Sequence, residues 1–164
     1  MAELDHPEFR RLSADAVEDL TEFLTQLRKR GEDAFFHPHP LTREAAQDVC
    51  TNVGLDLYYA LMGRRGIHAY GMLRGWDDGF DVPSLGLAVA PEFRGTSVSR
   101  ACLEMLHVAA FVRGAKSIRL KTYPQNTKAL ALFRSAGYIF DGTIESGQLV
   151  GFRDVARNAS EAAP

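Results

Sequence analysis

The residues best suited to chemistry lie where an apolar run meets a turn. Ser84, Leu85, Gly86, Leu87, Ala88, Val89 and Ala90 form the run, which closes at Pro91. Glu92 to Ser97 then turns the chain into a segment with apolar residues at helical spacing: Val98, Ala101, Cys102, Met105, Leu106 and Ala109. The first turn of a helix leaves backbone N–H groups unpaired, and its dipole favours an anion there. Arg94 adds positive charge, while Thr96, Ser97 and Ser99 add hydroxyl donors on short side chains. Phosphate binding is the chemistry this would supply. The spacing is neither GxxxxGK[ST] nor GxGxxG, and the same pattern also suits an ordinary strand-to-helix connection.

The elements around it must hold that turn. Residues 9–12 read as a short opening strand, and Ser13 as the cap of a helix ending at Gly31 after a basic last turn. Thr42 opens a second helix, which Gly54 stops. Residues 55–62 and 67–74 read as strands joined by the turn Gly63-Arg64-Arg65-Gly66, then comes the loop 75–81. After the third helix ends at Gly114, residues 117–122 read as a strand, 126–136 as a helix, and 138–140 and 148–153 as returning strands. Strands and helices interleave without a linker or repeat, so the expected fold is α/β (α+β) around one sheet. We expect one domain over 1–157 and a disordered tail over 158–164.

Composition narrows the function. The chain has 164 residues, 46% of them hydrophobic and 24% charged, as in an ordinary globular domain. Its net charge of −2 argues against a polycation that seeks nucleic acid. Residues 1–82 carry 9 basic and 15 acidic side chains, residues 83–164 carry 10 and 6. An acidic front and a basic back suit a cationic acceptor and an anionic cofactor, although many domains are asymmetric for no functional reason. Cys50 and Cys102 lack metal-ligand spacing and read as buried reduced thiols. The acidic start has no apolar signal region, and no apolar run reaches membrane length, so we expect a cytoplasmic protein with no metal, no membrane and no nucleic-acid partner.

Two stretches carry a family resemblance: Leu87 to Ser99, and Asn126 to Tyr138 with Ala129, Leu132, Phe133 and Gly137 between. Their order and spacing resemble the GNAT superfamily of acyl-CoA-dependent acyltransferases, over roughly residues 55–140. The resemblance implies a single twisted, mixed but mostly antiparallel sheet of six or seven strands with about four helices. It implies that the fourth and fifth strands splay apart and that acetyl-CoA, as co-substrate, enters the opening. Carried over, the backbone of Arg94, Gly95, Thr96, Ser97, Val98 and Ser99 would hold the CoA pyrophosphate. Leu87 and Val89 would meet pantetheine and the thioester carbonyl through their backbones, and Asn126 would hydrogen-bond the pantetheine arm. Such folds commonly dimerise, so a homodimer is one assembly it implies.

Three positions depart from the family pattern. Ser97 and Ser99 stand where glycines are usual. Phe133 stands where a tyrosine often protonates the leaving thiolate. Pro83 stands near the usual place of a glutamate base. Aminolysis of a thioester still needs a neutral amine and a polarised carbonyl. The Val89 amide supplies the second, and a water held by Asp81, Asp78 or Ser84 is the expected route for the ammonium proton. Cys102, inside a helix, is a poor nucleophile.

For the acceptor, Phe36, His37, Tyr70, Arg74, Trp76 and Asp77 are the candidate contacts, because rings stack on rings or sugars and carboxylates hold an ammonium. The aromatics read equally well as core and the acids as a solvated turn. His37-Pro38-His39-Pro40 lacks a third metal ligand. The stretch Tyr70 to Asp77 resembles GNAT proteins associated with surface polysaccharides and amino sugars. The expected function is therefore transfer of an acetyl group from acetyl-CoA to a primary amine of a small polar molecule, an amino sugar among them, by direct attack in a ternary complex. The alternative is a CoA-binding or scaffolding module of the same fold that has lost catalysis.

Overall fold

The computed structural model describes residues 6–155. Seven strands and four α-helices alternate along it: β1 (Glu8–Arg11), α1 (Val17–Lys29), α2 (Arg43–Cys50), β2 (Leu57–Gly63), β3 (Gly66–Arg74), β4 (Ser84–Val89), α3 (Ser97–Arg113), β5 (Ser117–Thr122), α4 (Thr127–Ser135), β6 (Ile139–Glu145) and β7 (Gln148–Asp154). The expected tail over 158–164 lies outside the described residues. Local sequence explains most boundaries. Thr42 and Thr96 cap α2 and α3 by accepting from the N–H groups of Ala45 and Val98. Gly114 ends α3 in the left-handed conformation. Ser13 behaves differently from expectation: its side chain caps nothing, and a 3-10 turn over Ala14–Ala16 precedes α1.

The strands form one sheet in the order β1-β2-β3-β4-β5-β7-β6. Every neighbouring pair is antiparallel except β4 and β5. This is the expected mixed, mostly antiparallel sheet with four helices. The sheet divides the core in two. On one face Leu20, Leu24 and Leu27 of α1 meet Tyr70, Met72 and Ala88. On the other, Leu103 and Leu106 of α3 meet Leu73, Leu85, Ile118 and Leu120. Strand residues alternate between the faces, so each central strand must be apolar on both.

Candidate functional site

The sheet's one parallel pair is also its shortest. β4 and β5 match only at Ser84–Arg119 and Leu85–Leu120, although β4 continues to Val89 and β5 to Thr122. Beyond Leu85 the two strands diverge. On the other side β4 stays paired with β3 along its whole length, from Ser84 to Val89. The Ala90 amide donates to His68 there, so by antiparallel alternation Leu87 and Val89 turn their N–H and C=O groups toward the opening. Unpaired main-chain groups along a strand edge are what an extended ligand can complement. The family resemblance implies this role for Leu87 and Val89. One of the four groups is already occupied: Arg94 Nε donates to the Val89 carbonyl at 3.0 Å.

The far end of β4 leads through a 3-10 turn over Pro91–Phe93 to Gly95, whose φ of +70° is a conformation glycine adopts freely. Thr96 Oγ1 accepts from Val98 N and donates to the Phe93 carbonyl, which fixes the turn against the helix. The first-turn amides of Ser97 and Ser99 have no carbonyl four residues back inside α3. Gly95, Thr96 and Ser97 are exposed, and Val98 and Ser99 half-buried. The Arg94 guanidinium, exposed beside the turn, already has an acidic partner. It pairs with Glu32, which follows α1. Across the opening, Asn126 caps α4 through Oδ1, accepting from Ala129 N at 3.3 Å, so its amide NH₂ remains to donate.

Residues 31–41, between α1 and α2, form a strap tied to both sides of the opening. Glu32 holds Arg94 on the β4 side. His37 Nε2 lies 2.9 Å from the Tyr123 hydroxyl on the β5 side, and Phe35 packs edge-on against the Tyr123 ring. Arg74 donates to the Pro38 carbonyl at 2.6 Å. His39 Nδ1 is 2.8 Å from the Pro40 carbonyl, which can only accept, so the neutral ring's Nε2 accepts from Tyr70 Oη at 2.9 Å. Burial, helped by the nearby Arg74 charge, pushes His39 below the usual imidazole range and keeps it neutral. An open cavity of about 360 Å³ lies against the strap, lined by Arg28, Asp33, His37, His39, Pro40 and Leu41.

The expected acceptor contacts do not gather in one place. Phe36 and Tyr70 meet edge to face on the α1 side, and Tyr70 is fully buried, its hydroxyl held well above the usual phenol range by that burial. Trp76 packs on the α3 side, under the Arg113 guanidinium at 5.3 Å. Asp77 accepts from the amides of Leu55 and Asp56, while buried Asp56 accepts from those of Gly75 and Asp77. This reciprocal clamp closes the loop before β4. Asp78 and Asp81 are exposed in that loop, and Ser84 is half-buried where β4 is still paired with β5. Sequence reading passed over Glu32 and Tyr123; the position of Tyr123 just after β5 and three residues before Asn126 is the signal that could have found it.

The family model of the acetyltransferase (GNAT) family matches residues 19–138, and its span takes in the divergent strands, the α3 turn and Asn126. The chain belongs to the GNAT family. Among solved structures it is similar to the GNAT domain of a Streptomyces lividans protein called PAT, with 20% identity, 93% of this chain and 96% of that one covered, and a TM-score of 0.78. A GCN5-related N-acetyltransferase from Kribbella flavida gives 22% identity, coverage of 90% and 97%, and a TM-score of 0.74. A ribosomal-protein-S5-alanine acetyltransferase from Vibrio fischeri gives 14%, 93% and 94%, and 0.74. No curated protein matches by sequence. For a GNAT chain, acetyl-CoA is the expected donor. Among the described residues no group of His, Cys, Asp and Glu could hold a metal ion, and no helix is long and apolar enough to cross a membrane.

Proposed function

We propose that this GNAT protein transfers an acetyl group from acetyl-CoA to a primary amine of a small polar acceptor, by direct attack in a ternary complex. The observation that carries the reading is the divergence of β4 from β5 after Leu85, with the Leu87 and Val89 main chain facing the gap. In this reading the pantetheine arm pairs with that edge and with the Asn126 amide. The pyrophosphate rests on the backbone from Arg94 to Ser99. The Val89 N–H polarises the thioester carbonyl, since the Val89 carbonyl and not its amide is held by Arg94. Water near Asp81, Asp78 or Ser84 takes the proton of the arriving ammonium. The amine then attacks, the C–N bond forms, and the C–S bond breaks with its electron pair on sulfur.

An amino sugar remains our preferred acceptor class, with Asp33, His37 and His39 as polar groups of the strap cavity available to it. Of the acceptor contacts, His37 lines the strap cavity and is best placed to touch it, while Phe36, Tyr70, Arg74, Trp76 and Asp77 act by holding the strap and the loop before β4. A cytoplasmic location and a homodimer belong to the same reading. The test is thermal unfolding with saturating acetyl-CoA, followed by mass-spectrometric screening of amines. Ligand at 100 times its Kd adds about 2.7 kcal/mol, a shift of several degrees in a domain this size. A shift followed by acetylated product supports the enzyme. A shift without product from any amine favours the alternative, a CoA-binding module. No shift at millimolar ligand removes the cofactor.

A further inference from the structure

The hydrogen bond between Tyr123 and His37 has no role in the scheme above, yet it stands just past the end of β5, the strand that faces β4 across the gap. Leu87 and Val89 lie beyond the last paired residue on one wall of the gap, and Tyr123 lies three residues beyond Leu120 on the other. Thr122 is buried and Tyr123 is half-buried under the strap, with its hydroxyl on His37 Nε2 at 2.9 Å. His37 is exposed, so one end of this two-residue chain meets solvent. Helix α4 offers no such group there: Phe133, buried between Tyr138 and the α3-side core, carries no proton.

We propose that Tyr123 and His37 form a proton relay that carries a proton off the acceptor nitrogen as the tetrahedral intermediate collapses. This rests on the reading of the chain as an amine acetyltransferase. After attack the nitrogen is cationic and bears one proton too many for an amide. That proton passes to Tyr123 Oη while the Tyr123 hydroxyl proton moves to His37 Nε2, which requires the Nδ1–H tautomer of the ring. The imidazolium releases its proton from the exposed side to water. Sulfur leaves as the thiolate and takes its proton from solvent. One proton is lost before attack through water near Asp81 and one during collapse through Tyr123. The amide is neutral, and no oxidant or reductant is needed. Imidazole is the side chain whose charge changes most readily near neutral pH, which suits it to hand a proton onward.

The experiment compares wild type, Tyr123→Phe, His37→Gln and His37→Ala with acetyl-CoA and the best amine from a screen of amino sugars and small primary amines. Tyr123→Phe keeps the ring on Phe35, and His37 is exposed, so the unfolding temperature and the acetyl-CoA shift should stay as in wild type. The expected result is a fall in kcat of about a hundredfold in all three variants, with the KM for acetyl-CoA unchanged. Added imidazole should restore a large part of the rate in His37→Ala but none in Tyr123→Phe, an outcome that a structural role for His37 would not produce. Wild-type transfer with kcat of Tyr123→Phe within about twofold overturns the relay and leaves the acetyltransferase reading intact. Loss of rate in His37→Ala that imidazole does not restore also overturns it. Absence of transfer by wild type to every amine overturns the reading and the relay together.

Discussion

His107 Nε2 stands 2.8 Å from the Tyr138 hydroxyl, in the buried layer that joins α3 to the residue before β6. The other ring nitrogen faces Glu104 at 3.1 Å. A carboxylate only accepts, so Nδ1 carries the hydrogen and Nε2 accepts from Tyr138. Burial, with Arg153 nearby, lowers the His107 pKa from 6.5 to about 4. In the unfolded chain the ring protonates near 6.5, so between those values the unfolded state binds more protons and stability rises with pH. This contribution is complete above about pH 6.5 and is lost as pH falls toward 4. Chemical unfolding at pH 7 and pH 4.5 should differ, and His107→Gln should remove part of the difference. Equal pH dependence in the two proteins would show that His107 is not its source.

Glu32 and Arg94 couple the strap to the phosphate turn. The carboxylate neutralises a guanidinium beside amides that would otherwise face an anion with its full charge. Glu32→Gln should therefore tighten acetyl-CoA binding by about fivefold, the worth of roughly 1 kcal/mol for two charges near the surface. Calorimetric titration at low and at high salt measures this, and the gain should shrink at high salt. Unchanged or weaker affinity would mean that Glu32 orders the turn more than it competes with the ligand.

Asp81 lies in the exposed loop before β4, three residues from Ser84. If its water takes the ammonium proton, Asp81→Asn should lower turnover by about tenfold or more and move the pH–rate profile, without changing the acetyl-CoA shift. Kinetics indistinguishable from wild type would take Asp81 out of the chemistry.

Gly71 gives a test of packing on the α3 side. A Cβ there would lie 2.6 Å from Leu106 Cδ1 and 3.1 Å from its second methyl, and Leu106 is fully buried. Leu106 cannot retreat without displacing its neighbours, so Gly71→Ala should cost about 1–3 kcal/mol. Denaturant unfolding of the variant checks this; a midpoint equal to wild type would show slack in the core.

What the sequence made legible was local. The Thr42 cap, the Gly63–Gly66 turn and the α3 turn are decided within a few residues, by hydroxyl acceptors and glycine conformations. The motif order around Arg94 and Asn126 then led to the family. The acceptor contacts read less well, because where a strand stops and how its loop turns are not set by the contact residues themselves. An even spacing would put Tyr70 and Trp76 on one face, but β3 ends at Arg74 and the turn at Gly75 carries Trp76 to the other side of the sheet. Asp77 looked like a ligand for an ammonium, but its oxygens are held by the amides of Leu55 and Asp56. Arg94 reads from the sequence only as added charge beside the turn, and its partner Glu32 is 62 residues away. No local pattern announces such pairs. The same holds for Tyr123 and His37, which are 86 residues apart and meet only after the strap is laid down.

The order β5-β7-β6 sets a timetable for building the molecule. Neither β5 nor β6 pairs with the other; each is stitched to β7, which leaves the ribosome after both. Until β7 emerges, β5 has strand pairing with β4 alone, at two residue pairs, beside its packing on α3. The wall of the gap that carries Tyr123 is therefore finished last. A nascent chain arrested near Gly147 would already contain every residue assigned to the acetyl-CoA site, but without β7 it would lack the strand that fixes the far wall. Ribosome-bound chains of increasing length should gain protection around α1 and β2–β3 well before they gain it around β5.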